Sequence, residues 1–173
     1  MSVLKTIIDN MKAGILADVD LTSTGDVRPL TANNISIRYR AIGTDRKGWA
    51  RDEPTPGIII SPGRRFVTPP NLGNNKEDIV QYFISLQIID SDESRYSSDR
   101  FETWTNWMER IRKYFHESNL KKTVFTSAGY VDEVKVPNID PLDEKIFSIH
   151  ERCVMAMVVQ VNSLEPRNAT GSV

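Results

Sequence analysis

The chain has 173 residues, with 22 Lys and Arg against 23 Asp and Glu and a net charge of −1. That balance leaves no bulk basic field to hold nucleic acid or an anionic membrane surface. Leu, Ile, Val and Phe together number 46, about 27% of the chain, above the ~20% below which disorder prevails, so a packed core is expected.

The first segment, Ser2–Ala17, reads as an amphipathic helix. Val3, Leu4, Ile7, Ile8, Met11, Ile15 and Leu16 recur at the spacing that winds apolar residues onto one stripe. Ser2 is a fitting N-cap, and Gly14 is a local cost of ~1 kcal/mol relative to alanine. Ile35 to Ile42 alternates apolar and polar residues, a half-buried strand with Ser36, Arg38 and Arg40 on the wet side. After a loop at 43–57, Ile58-Ile59-Ile60 forms a short buried strand stopped by Ser61-Pro62-Gly63. From Ser61 to Asp78 the chain carries Pro62, Gly63, Pro69, Pro70 and Gly73, punctuation through which neither helix nor strand is expected to persist.

Val80, Tyr82, Ile84, Leu86 and Ile88 then alternate with Gln81, Phe83, Ser85, Gln87 and Ile89, the signature of a long strand. Asp99 and Glu102 form a capping-box-like start to an aromatic helix over Phe101–Phe115. Trp104, Trp107, Met108, Ile111, Tyr114 and Phe115 share its apolar face. Tyr130 to Val136 reads as a strand ended by Pro137. A final ladder runs from Phe147 through Cys153, Met155, Met157 and Val159 to Val161, long enough to require a bulge or bend. The residues from Asn162 are polar and read as a fraying tail. The expected architecture is a two-layer α+β domain over residues 1–161, in the order α-β-β-β-α-β-β. It has a mixed or antiparallel sheet of four to five strands, two amphipathic helices on one face, long loops at 43–57 and 61–78, and a flexible tail at 162–173.

Reactive chemistry is sparse. The only histidines are His116 and His150, and the single cysteine, Cys153, sits three residues from His150, so the pleat points the two to opposite faces. One cysteine excludes an internal disulfide framework and fits a reducing compartment. Three Cys and His residues in all do not make a zinc site. Asp90, Asp92 and Glu93 lack the glycine and distal glutamate of a calcium loop. Arg38 and Arg40, Arg64-Arg65 and Lys121-Lys122 are offset by nearby Asp and Glu and read as solvated surface rather than a nucleic-acid site. No apolar run approaches the ~20 residues of a membrane span, and no basic-then-apolar signal segment opens the chain. The one arrangement with catalytic precedent is Glu133-Val134-Lys135, the Glu-x-Lys spacing of restriction-like nucleases. There a carboxylate and an upstream aspartate, here Asp90, would hold Mg²⁺ while the lysine activates water. A solvated, charged strand edge is the simpler reading of the same residues, so no catalytic, cofactor-binding or metal-ligating residue is expected.

The order of elements resembles that of the tail terminator (tail completion) proteins of tailed bacteriophages, which share a fold with some neck proteins. The likeness is carried by the helix Ser2–Ala17, the strand Ile58–Ile60 closed by Pro62, the strand Val80–Ile89 running into Asp90-Ser91-Asp92, the aromatic helix Phe101–Phe115, and the C-terminal strands. The stretches 43–57 and 61–78 depart from that pattern as longer insertions. The resemblance implies a non-enzymatic virion protein without cofactor, assembled in the host cytoplasm and placed at the tail–neck junction. Its copies would form a ring, usually a hexamer, that caps the tail tube, ends its polymerisation and docks the head–neck connector, with DNA passing through the lumen unread. A neck or head-closure adaptor of similar fold is the alternative. A cyclic ring needs two different patches in contact. Arg64, Arg65 and Phe66 in the long loop supply residue types enriched at interfaces, the alternative being a surface excursion with no partner. Phe83 and Ile89 point away from the main apolar ladder, so either a neighbouring copy covers that face or the sheet is buried on both sides. These five are the expected interface residues.

Overall fold

A computed structural model describes residues 3–18, 32–39, 57–68, 77–90, 98–116, 124–125, 129–140 and 153–166. Two helices, α1 (Val3–Asp18) and α2 (Ser98–His116), pack on a mixed sheet. Its strands are β1 (Ile35–Ile37), β2 (Gly57–Thr68), β3 (Glu77–Asp90), β4 (Val124–Phe125), β5 (Gly129–Asp140) and β6 (Cys153–Pro166), with a 3-10 turn at Ala32–Asn34 before β1. The spatial order is β1-β2-β3-β6-β5-β4. Among the described residues, only β1·β2 is parallel and every other pair is antiparallel. The fold is therefore α+β; among the described residues the sheet holds the five strands expected and, at one edge, the two-residue β4.

The alternation in β3 sorts as its sequence dictates. Val80, Tyr82, Ile84, Leu86 and Ile88 are buried in one cluster with Met155, Met157, Val159 and Val161 of β6. Ile7, Ile8, Met11 and Ile15 of α1, and Trp107, Met108, Ile111, Tyr114 and Phe115 of α2, join the same cluster, so both helices cover the same face of the sheet. Lys12 reaches from α1 to donate to the Ile35 carbonyl at 2.7 Å, tying the helix to the edge strand. Gly14 explains itself here. A Cβ at that position would stand 2.1 Å from the Tyr114 Oη, so the glycine is what lets α2 close against α1.

Several expectations are corrected. β1 stops at Ile37 rather than Ile42, and Ile37 and Tyr39 are exposed, Tyr39 at 88%. β1 is an edge strand, and of its apolar residues only Ile35 reaches the core. β2 does not end at Ile60 but continues to Thr68, straight through Pro62-Gly63. β5 likewise passes Pro137 to reach Asp140. In both strands the proline falls within a register irregularity, between Pro62 and Arg65 and between Lys135 and Asn138. Each also lies on a stretch that the neighbouring short strand does not flank. β1 pairs β2 only as far as Ile60, and β4 pairs β5 only at Gly129 and Tyr130. A residue without an N–H is tolerated at such an open edge, where no ladder bond is lost.

β6 runs on to Pro166 instead of fraying at Asn162, and its register against β3 is unbroken from Cys153 to Pro166. The polar residues Asn162, Ser163 and Glu165 are thus strand residues with partners on neighbouring strands. α2 begins at Ser98, one residue before Asp99. Residues 40–56, the pair Asp92 and Glu93, Lys121-Lys122, the span Phe147–His150 and residues 167–173 lie outside the described residues.

Candidate assembly surface

The surface is built by the bulge in β2. Ser61 pairs with Ser85 and Pro62 with Ile84, and pairing then resumes one residue out of step at Arg65 with Tyr82, Phe66 with Gln81, Val67 with Val80 and Thr68 with Ile79. Gly63 makes the crossing fit, because a Cβ there would lie 2.5 Å from the Phe83 carbonyl oxygen. Beyond the bulge every residue from Gly63 to Thr68 is exposed. Phe66 falls on the face away from the helices, 49% exposed, and Val67 on the helix face, 51% exposed. A strand with one face on a core keeps its other face polar; this one presents apolar groups on both. Phe66 meets Phe83 edge-to-face, with centroids 5.7 Å apart and rings at 86°, a geometry that aromatic quadrupoles favour. Ile79, 37% exposed, lies on the same face.

On the helix face, the base of this edge is fixed by a polar cluster. The Tyr82 hydroxyl donates to Glu165 Oε1 at 2.6 Å, and the Ser163 hydroxyl donates to the same oxygen at 2.8 Å. The Arg65 guanidinium lies 4.0 Å from Glu165 Oε2 and 5.7 Å over the Tyr82 ring. Burial pushes the Tyr82 phenol well above its ordinary pKa; the Glu165 carboxylate it bonds to adds to the rise and Arg65 opposes it. Tyr82 therefore stays protonated at neutral pH and acts as a hydrogen-bond donor, not as a base or nucleophile.

The opposite face carries a second polar ladder. Lys135 pairs with Glu133 at 2.8 Å, Asn162 donates to Glu133 at 2.9 Å, and Gln160 donates to Asn162 at 3.1 Å. Both Glu133 oxygens are thus engaged. The aspartate that a nuclease centre would need is remote. Asp90 pairs with Cys153 while Glu133 pairs with Asn162, nine residues further along β6, about 30 Å at strand rise. Glu133 and Lys135 share a face as their spacing requires, but Asp90 does not join them. Among the described residues, no group of three His, Cys, Asp or Glu is placed to hold a metal ion, and no described helix is long and apolar enough to cross a membrane.

Of the five expected interface residues, Arg64, Arg65, Phe66 and Phe83 gather at the β2 bulge and its facing strand. Ile89 also points away from the helices, but it is 0% exposed and adds nothing to the surface of a single chain. Val67, Tyr82 and Glu165 were missed. The alternation Arg65-Phe66-Val67-Thr68 was the available signal for Val67; Glu165 had none, because its partners lie on distant strands. A separate recess of about 460 Å³ opens between α1 and the end of β1, with Leu4, Ile8, Ile37, Tyr39 and Pro62 among its lining. In comparisons with known proteins, no family model matches the chain, and no curated protein matches it with significant similarity.

Proposed function

We propose that this chain is a structural assembly protein of a tailed bacteriophage. As a tail terminator, its copies form a ring that caps the tail tube, stops its growth and offers a docking surface to the head–neck connector. The observation that carries the reading is the exposed edge Gly63–Thr68, with Phe66 and Val67 on opposite faces and Arg64 and Arg65 beside them. A surface with those residue types, uncovered in a lone chain, is suited to burial against another protein. The polar groups support the same reading: beside this edge Tyr82 bonds to Glu165, and on the far edge of the sheet Lys135 and Asn162 bond to Glu133. The element order, with its resemblance to tail terminators, supplies the specific role.

The test is tube assembly in vitro. Purified tube protein of the same virus is polymerised with and without this chain and viewed by negative-stain microscopy. Tubes that stop short with a ring at one end support the reading, and Phe66→Asp should remove the ring. Tubes of unchanged length, with the chain binding only the connector, would instead indicate the neck-adaptor role.

A further inference from the structure

The edge Arg65–Thr68 has a counterpart on the far side of the same sheet. From Ser61 onward the outer side of β2 is flanked by no described strand, because β1 pairs only with Ile58–Ile60. From Val131 onward the outer side of β5 is likewise flanked by no described strand, because β4 pairs only with Gly129 and Tyr130. These two open edges stand at the same level. Phe66 pairs with Gln81, Gln81 with Asn162, and Asn162 with Glu133, so a single row joins one edge to the other across about 14 Å, three strand spacings.

Strand sense fits as well. The pairs β2·β3, β3·β6 and β6·β5 are all antiparallel, so β2 and β5 run in opposite directions. Copies related by rotation about an axis along the strands keep that sense. The β5 edge of one copy set beside the β2 edge of the next would therefore extend the antiparallel alternation without a break. The contact joins two different edges, which is the heterologous kind that closes into a ring; β2 on β2 would close as a dimer. Charge offers a partial match: Arg64, which makes no ion pair among the described residues, lies at the β2 edge, and Glu133, already bonded to Lys135 and Asn162 of its own chain, lies at the β5 edge. The straight segments are short and bounded by irregularities, Arg65–Thr68 after the β2 bulge and Glu133–Lys135 between the two shifts in β5. Such limits fix register and discourage open-ended sheet growth.

We propose that the Arg65–Thr68 edge of one copy pairs antiparallel with the Glu133–Lys135 edge of the next, so that the ring is held by one continuous sheet passing from chain to chain. This rests on the ring reading above and names the surface that builds it. Hydrogen–deuterium exchange on the wild-type chain tests it, comparing dilute protein with the most concentrated soluble sample, while mass photometry reports the assembly state of each. The expected result is a ring-sized species in which outward-facing amides within 65–68 and within 133–135 both exchange at least tenfold more slowly. A ring in which either segment exchanges as in the dilute chain overturns the sheet-continuation contact and leaves the ring reading standing. A chain that stays monomeric throughout overturns both.

Discussion

Gly63→Ala tests the crossing of β2 through its bulge. Gly63 does not occupy the left-handed region of backbone space, so alanine there carries no conformational strain. By itself the change would stabilise the fold by ~0.4–1 kcal/mol through a less flexible unfolded chain. The new Cβ, however, would lie 2.5 Å from the Phe83 carbonyl oxygen and 3.3 Å from its carbon. That obstacle is β3 backbone, held between its neighbours by the pairings of Pro62 of β2 with Ile84 and of Gln160 of β6 with Phe83, and cannot swing aside as a side chain could. Overpacking of this kind costs ~1–3 kcal/mol. Taking the middle of each range, the balance is a net loss of ~1.3 kcal/mol, a fall in Tm of ~3–5 °C for a chain of this size. Thermal unfolding followed by far-UV circular dichroism, with urea unfolding to confirm an unchanged m-value, reads the effect. An unchanged or raised Tm would refute the bulge and, with it, the placement of Phe66 and Val67 on opposite faces.

Three further outcomes follow from the same geometry. Gly14→Ala should lower stability even though alanine favours a helix by ~1 kcal/mol, because the Cβ meets the buried Tyr114 ring; in a Tyr114→Leu background the same change should become neutral or stabilising in thermal melts. Tyr82→Phe should cost on the order of 1.5 kcal/mol at neutral pH by removing a donor to the Glu165 carboxylate. Since the folded-state pKa of Tyr82 is raised, its contribution is fully present below pH ~10 and is lost as pH climbs beyond that, by at most ~1.4 kcal/mol per pH unit. Urea melts from pH 8 to 11 should therefore fall more steeply for wild type than for Tyr82→Phe, and equal slopes would contradict the buried hydrogen bond. Plasmid DNA incubated with the chain and Mg²⁺ should remain intact on a gel; cleavage that disappears with Lys135→Ala would contradict a purely structural role.

Local patterns carried the core and missed the edges. The alternation of Val80 to Ile88 and the 3.6-residue stripe of α1 were legible because a buried face imposes its period on adjacent residues. The two prolines misled, because Pro62 and Pro137 end a strand only where both sides are paired, and which stretches are open depends on how far β1 and β4 extend. Asn162 to Glu165 looked like a tail because their partners, Glu133 and Tyr82, lie 29 and 83 residues away from Asn162 and Glu165 respectively. Gly14 read as a defect for the same reason, its justification being Tyr114 on the other helix. At the assembly surface, Arg64, Arg65 and Phe66 stood out by residue type, whereas the row joining them to Glu133 exists only once strand order and register are known.

Whether this chain works by assembling with copies of itself is read from the molar mass of the purified protein, by light scattering across a concentration series. The 19.6 kDa chain should give way to one discrete closed species, about 118 kDa for six copies, and Phe66→Asp should return it to the single-chain mass. A wild-type protein that remains at the mass of one chain throughout, or that forms an open ladder of sizes without a preferred species, would contradict it.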